Sequence, residues 1–191
     1  MITVGVDETG RGSCFGPIVT CAVWFPPSGL PEGLAADLGD SKALSDRKRR
    51  ALYGPLAAAA RHAFGAASAR EVDALNPLRA TMLSMRRAVL RLAPPEGARA
   101  VVDGPYLPEG LPCPGEALVR ADSQVPEVMA ASILAKVFRD DLVAALAARW
   151  TGYGLDRHAG YGTKAHFAAV AASGPTPHHR LTFLKKVLAP R

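Results

Sequence analysis

The sequence predicts an α/β fold, a mixed sheet flanked by helices, and three observations carry that reading. The N-terminus offers an apolar, β-branched run with Ile2, Val4 and Val6 at alternate positions, and after a short loop comes a second apolar run over residues 18–25. Strand, short loop, strand makes an antiparallel hairpin. Further strand-like runs at 98–102 and 117–119 are separated from the first pair by segments of helical period. Finally, 49% of the 191 residues are apolar and 21% charged, enough core for one domain and too little charge for a disordered chain.

The elements follow in order. The first strand runs into Asp7-Glu8-Thr9-Gly10-Arg11-Gly12. Adjacent strand residues point to opposite faces, so Asp7 and Glu8 serve one site only if the strand ends or bulges there. Gly10 and Gly12 permit that turn and let a ligand approach bare backbone N–H groups. Pro26, Pro27 and Gly29 end the second strand, and a loop runs on to Gly39. Ser45 reads as the N-cap of a basic helix through Arg47, Lys48, Arg49 and Arg50, with Asp46 in its first turn. Pro55 predicts a kink or break in it. A third strand is placed at residues 62–69. Asn76-Pro77 starts a helix over 78–92, whose Met82, Met85, Val89 and Leu92 form a core stripe.

The strand at 98–102 ends at Asp103-Gly104, a Pro/Gly-rich loop leads to the strand at 117–119, and Asp122 lies just beyond. A long helix then runs from Pro126 to about Trp150, with Lys136, Arg139 and Asp140 on its polar face. Thr163 reads as the N-cap of a short helix that Gly174-Pro175-Thr176-Pro177 ends, and the last segment is basic, with His178, His179, Arg180, Lys185 and Lys186.

Lys and Arg number 23 against 17 Asp and Glu, a net charge of +6 and a pI near 9.5. That balance favours a polyanionic partner, nucleic acid first. Cys14, Cys21 and Cys113 are odd in number and lack CxxC spacing, which argues against a disulfide framework or structural zinc. No apolar run is long enough to span a membrane and no signal peptide is visible, so a cytoplasmic protein is expected.

Three strand-like segments therefore end at acidic residues: Asp7-Glu8, Asp103 and Asp122. Singly, Asp103 and Asp122 read as turn residues. Together with Asp7-Glu8, at strand ends where α/β sites gather, they make a set of carboxylates that repel one another unless protonated or neutralised by cations. Hard divalent ions take oxygen ligands, and Mg²⁺ suits a phosphate substrate. Two such ions activate a water and stabilise the leaving oxygen of a phosphodiester.

The pattern resembles the type 2 ribonuclease H (ribonuclease HII) family along nearly the whole chain. The matching blocks are Asp7-Glu8-Thr9-Gly10-Arg11-Gly12 with Gly16-Pro17-Ile18-Val19, Asp40-Ser41-Lys42-Ala43-Leu44, Val102-Asp103-Gly104, Ala130-Ala131-Ser132-Ile133-Leu134-Ala135-Lys136-Val137 with Arg139-Asp140, His158-Ala159-Gly160-Tyr161-Gly162-Thr163, and Gly174-Pro175-Thr176-Pro177 with His179-Arg180. The resemblance implies a ribonuclease H-like mixed sheet flanked by helices over residues 1–150, with a small helical substrate-binding segment over 151–191 packed on it. It implies an endoribonuclease that uses two divalent ions, Mg²⁺ or Mn²⁺. Its substrates would be the RNA strand of RNA–DNA hybrids and the 5′ side of single ribonucleotides in duplex DNA. The products would carry 3′-hydroxyl and 5′-phosphate ends.

By that resemblance Asp7, Glu8, Asp103 and Asp122 are the catalytic, metal-holding carboxylates. Gly10, Arg11 and Gly12 contact the 2′-hydroxyl and backbone of the ribonucleotide, and Tyr161 recognises the RNA-to-DNA junction. Lys42 matches a phosphate contact. The basic residues Lys42, Arg139, Lys164, Arg180, Lys185 and Lys186 are candidates for tracking phosphates, with Arg180 placed in the substrate-binding set. Thr9 stands where alanine is common in the family, Ser13 and Cys14 where proline is frequent, and residues 124–128 depart from its small, serine-rich run. The other readings are a type 3-like nuclease that needs several ribonucleotides, and a nucleic-acid binding module with a decayed site; the presence of all four carboxylates argues against decay. A monomer is the default expectation.

Overall fold

The computed structural model describes residues 2–38 and 44–189. β1 (Ile2–Thr9) lies at the centre of a five-stranded sheet of order β3-β2-β1-β4-β5. β2 (Ile18–Trp24) pairs antiparallel with β1, and β3 (Arg61–Ala67) antiparallel with β2. On the other side β4 (Ala98–Asp103) runs parallel to β1, and β5 (Gly115–Leu118) parallel to β4. The sheet is mixed, as the hairpin and the later strands require.

The helices are α1 (Glu32–Leu38), α2 (Asp46–Ala59), α3 (Ala69–Leu75), α4 (Pro77–Leu92), α5 (Pro126–Arg149), α6 (Leu155–His158), α7 (Lys164–Ser173) and α8 (Lys185–Leu188). Strand alternation sorts the core. Val4, Val6 and Ala22 pack with Met85, Ala88 and Val89 of α4, whereas Cys21 and Val23 pack with Ile133, Leu134 and the α2 residues Leu52 and Leu56. α5 meets β1 at Gly5, where an added Cβ would stand 2.2 Å from the backbone carbon of Glu127 and 2.3 Å from the nitrogen of Val128. That bare backbone lets the long helix lie directly on the central strand, and it fixes where the residues of its first turns fall relative to Asp7.

Local chemistry sets the helix starts. The Ser45 hydroxyl accepts from Lys48 N at 3.3 Å, Asn76 Oδ1 from Arg79 N at 3.1 Å, and Thr163 Oγ1 from His166 N at 3.2 Å. The structure departs from the sequence reading at several of these elements. Residues up to Gly39 do not form a plain loop, since α1 occupies part of them. The third strand stops at Ala67 because Ser68 and Glu71 form a reciprocal capping box that opens α3. α2 is not broken at Pro55; the ring removes one backbone donor, while burial of Leu52 and Leu56 holds the turns on either side in the core. Arg139 is not on a polar face but fully buried.

Both ends of the strand order are edges. At β3, two arginines of α4 reach over the rim: Arg87 donates to Ala66 O at 2.8 Å and Arg91 to Phe64 O at 3.1 Å. Among the described residues no helix is long and apolar enough to cross a membrane. The Asp40-Ser41-Lys42-Ala43 segment, and with it the expected Lys42 phosphate contact, lies outside the described residues.

Candidate active site

The ladder between β1 and β4 ends at the pair Val6–Val102, whereas that between β1 and β2 continues through Glu8–Thr20 to Thr9–Val19. The expectation that the strand stops or bulges at the carboxylates is thus corrected. β1 stays regular on its β2 side and loses its partner on the β4 side, and the space beyond β4 is open to both acids. Asp103 ends β4, and Asp122 sits in a 3₁₀ turn, Ala121–Ser123, at the mouth of the same space. Asp7, Glu8, Asp103 and Asp122 together line a cleft of about 390 Å³, with Arg11, Arg49, Ser132, Lys136 and Tyr161 around them.

The cleft is short of positive charge at its floor. Asp7 is 5% exposed, and burial, then the charges of Glu8 and Asp103, push its carboxyl well above the usual range, opposed by a hydrogen bond from Ser132. Asp7 Oδ1 also accepts from Glu8 N at 2.7 Å. Glu8 pairs with Arg11 at 3.4 Å. Asp103 Oδ1 is buried with no hydrogen-bond partner. A buried, unpartnered carboxylate oxygen beside an acid whose charge is resisted is what a hard cation relieves. The donor set, all carboxylate oxygen, fits Mg²⁺ or Mn²⁺. Among the described residues no three acidic, histidine or cysteine side chains are drawn together closely enough to hold an ion by themselves.

The glycine loop and the Tyr161 segment form the two lips of the cleft. Arg11 and Gly12 are exposed. Tyr161 is 38% exposed, its ring 5.9 Å from Lys136 Nζ and 5.6 Å from Arg139 Cζ. Arg180, expected to contact substrate, is instead fully buried. Its Nη1 donates to Arg11 O at 2.9 Å, and its Nε and Nη2 donate to Gly16 O at 3.0 and 2.9 Å. Arg139 is buried likewise, so neither arginine presents its charge to a phosphate at the surface. Lys164, Lys185 and Lys186 are exposed but do not line the cleft. The residues that sequence reasoning missed are Arg49, Ser132 and Lys136. All three are helical, and the signal for the last two was their spacing, since residues 132 and 136 lie one turn apart and face the same way.

Behind Tyr161 runs a chain of buried histidines. Thr176 N donates to His179 Nδ1 at 2.9 Å, which leaves the proton on His179 Nε2. That proton faces His166 Nε2 at 3.0 Å, and His166 Nδ1 in turn donates to Tyr161 O at 3.0 Å. The order works only with both rings neutral. Burial, then His166 and His178, lowers His179 to about 4, and burial first also lowers His166. A histidine held below its unfolded value stabilises the fold fully above about pH 6.5, and that stability drains away as the pH falls toward 4. The melting temperature should therefore fall over that interval. His179→Asn, which keeps an acceptor for Thr176 N–H but cannot titrate, should flatten the slope; thermal scans of both proteins across the interval check this, and parallel slopes would exclude it.

Comparison with known proteins identifies the fold and the family. The fold is shared with the ribonuclease H2 of Pyrococcus horikoshii OT3, at a TM-score of 0.74 and 24% identity over 98% of this chain and 97% of that one. It is also shared with Bst-RNase HIII in complex with Mn²⁺, at a TM-score of 0.81 and 22% identity over 98% of this chain and 69% of that one. In sequence, the chain is 48% identical over 179 residues to the ribonuclease HII of Maricaulis maris, covering 94% of this chain and 80% of that protein. The family model for ribonuclease HII matches residues 4–186. With the match spanning the carboxylate cleft and both of its lips, the chain belongs to the ribonuclease HII family, metal-dependent hydrolases that cleave the RNA of RNA–DNA hybrids.

Proposed function

We propose that this cleft hydrolyses the phosphodiester on the 5′ side of a ribonucleotide, including a single ribonucleotide in duplex DNA, and leaves 3′-hydroxyl and 5′-phosphate ends. The observation that carries this reading is the convergence of four carboxylates, the exposed Arg11 and Tyr161 on one cleft. Asp7, Glu8, Asp103 and Asp122 would hold two divalent ions, Mg²⁺ or Mn²⁺. When bound, such ions lower the pKa of the attacking water and offset charge on the leaving 3′ oxygen. The oxygen of the water joins phosphorus, the bond to the 3′ oxygen breaks, and that oxygen takes up a proton.

The chain's own groups orient this step. Ser132 fixes Asp7 by a hydrogen bond. Arg11, within 3.4 Å of Glu8, can exchange that partner for a phosphate by swinging outward. Lys136 and Arg49 supply positive charge on the cleft walls for the flanking backbone. The ribose is identified by its 2′-hydroxyl at the main chain of Gly10, Arg11 and Gly12, and the next sugar, lacking that group, packs on Tyr161.

The test is a pair of substrates. The wild type, with Mg²⁺ and with Mn²⁺, should nick a duplex holding one ribonucleotide on its 5′ side. Tyr161→Ala should lower kcat/KM on that substrate about ten-fold, a loss near 1.4 kcal/mol, and affect a long hybrid far less. Equal losses on both would assign Tyr161 to folding or general binding. Wild-type inactivity on the single ribonucleotide, with good activity on the hybrid, would mean that several ribonucleotides are needed.

A further inference from the structure

The two lips of the cleft come from opposite ends of the chain, and a buried polar brace joins them. Ser13 Oγ lies 2.8 Å from Gly160 O and 2.9 Å from Phe15 O, and Cys14 N donates to Gly160 O at 3.1 Å. Arg139 donates through Nη1 to Ala159 O at 3.1 Å, through Nη2 to Phe15 O at 3.0 Å, and through Nε to Pro17 O at 3.1 Å. Its guanidinium thus bonds both lips at once, passes under the Tyr161 ring, and fills the space where a Gly10 side chain would begin. Arg180 ties the start of the glycine loop, at Arg11 O, to its end, at Gly16 O.

Ser13, Arg139 and Arg180 have no exposed surface, and the guanidinium hydrogen bonds described above all go to main-chain carbonyls. Burying guanidinium groups against neutral partners is costly, and burial accordingly lowers the pKa of both, with each arginine's charge opposed by solvent loss more than by anything else. Apolar side chains would fill the same volume at less cost, but they could not hold the carbonyls of Arg11, Phe15, Gly16 and Ala159 in one fixed arrangement.

We propose that Ser13, Arg139 and Arg180 are positioning residues for ribose selection. Acting through main-chain carbonyls and, for Arg139, from beneath the Tyr161 ring, they set the spacing between Gly12 and Tyr161, the two groups between which a ribonucleotide is read. The inference rests on the reading of those groups given under Proposed function. None of the three touches the substrate.

The test measures ribose discrimination, which a merely structural role does not move. The affinity for an RNA–DNA hybrid is divided by the affinity for an all-DNA duplex of the same sequence, with Ca²⁺ as the only divalent ion. Melting temperature is recorded alongside. Ser13→Ala, which removes one hydroxyl, should keep the fold and lower the ratio several-fold, in line with the loss of about one hydrogen bond. Arg180→Lys keeps the charge but cannot grip two carbonyls as a fork, and should lower the ratio roughly ten-fold or more. If Arg180→Lys does not fold, Ser13→Ala decides alone. A wild type that discriminates, with variants that keep its ratio or lose affinity for both duplexes in parallel, overturns the inference and leaves the earlier reading intact. A wild type with no preference for the hybrid overturns both.

Discussion

Asp7→Asn and Asp103→Asn should each abolish cleavage of an RNA–DNA hybrid, while the melting temperature of the metal-free protein should hold or rise. Loss of one carboxylate should cost on the order of a thousand-fold in kcat, as when a principal electrostatic element of a site is removed. Stability moves the other way because the acids are poised against one another. Asp7 is resisted by burial, by Glu8 and by Asp103, and Asp103 carries an unpartnered buried oxygen. The sign follows from linkage. An acid held above its unfolded value gives stability that is present at low pH and lost as the pH rises through its folded value. The gain from Asp7→Asn should thus be larger at neutral pH than in acid. An Asn at this place still accepts from Glu8 N, and the Ser132 hydroxyl can turn to accept from its amide. Calorimetry without divalent ions and single-turnover kinetics with them measure the two halves. A variant that retains wild-type cleavage, or that unfolds at neutral pH, contradicts the carboxylate site.

Gly12→Ala and Gly10→Ala should part company just as sharply. Gly10 has φ +84° and an added Cβ would fall 2.1 Å from Arg139 Nε. Both facts bind it to the fold, so Gly10→Ala should destabilise by at least ~2 kcal/mol. Gly12 is exposed, has no positive φ, and would bring a Cβ near nothing. Nothing within the described chain demands glycine there, and alanine should be neutral or stabilise by about 0.5 kcal/mol through the unfolded state. If a sugar packs on that bare backbone, Gly12→Ala should nonetheless lower kcat/KM on a hybrid by roughly a hundred-fold, since a methyl group occupies the contact surface. Denaturant unfolding and kinetics on the two variants test this. A fully active Gly12→Ala would remove the glycine from the reading site.

What could be read from the sequence was whatever is decided by neighbours in the chain. Ser45, Asn76 and Thr163 announce helix starts because their oxygens bond amides three residues on. The hairpin and the acidic strand ends follow from alternation and from abrupt polarity. α3 is announced in the same way, by Ser68 and Glu71 at capping-box spacing. The fates of Arg139 and Arg180 were not legible. A cation on a helix or in a basic tail is most often solvated, and only the meeting of the chain's two ends supplies the carbonyls that allow these two to be buried. Ser132 and Lys136 enter the cleft for a similar reason. Their shared helix face was visible, but the placement of α5 on β1 through Gly5 was not.

The arginines over the β3 rim have a consequence for how copies of the protein meet. An exposed strand border is a template on which a second chain can add another strand, and sheets seed aggregates in this way. Arg87 and Arg91 occupy the Ala66 and Phe64 carbonyls with charged donors, so an incoming strand must displace both and leave two cations behind it. Arg87 is further held by Glu71 at 2.8 Å. Removing the two arginines together should leave cleavage intact yet make concentrated solutions scatter light on standing, because the strand border that a second copy could extend would then be bare.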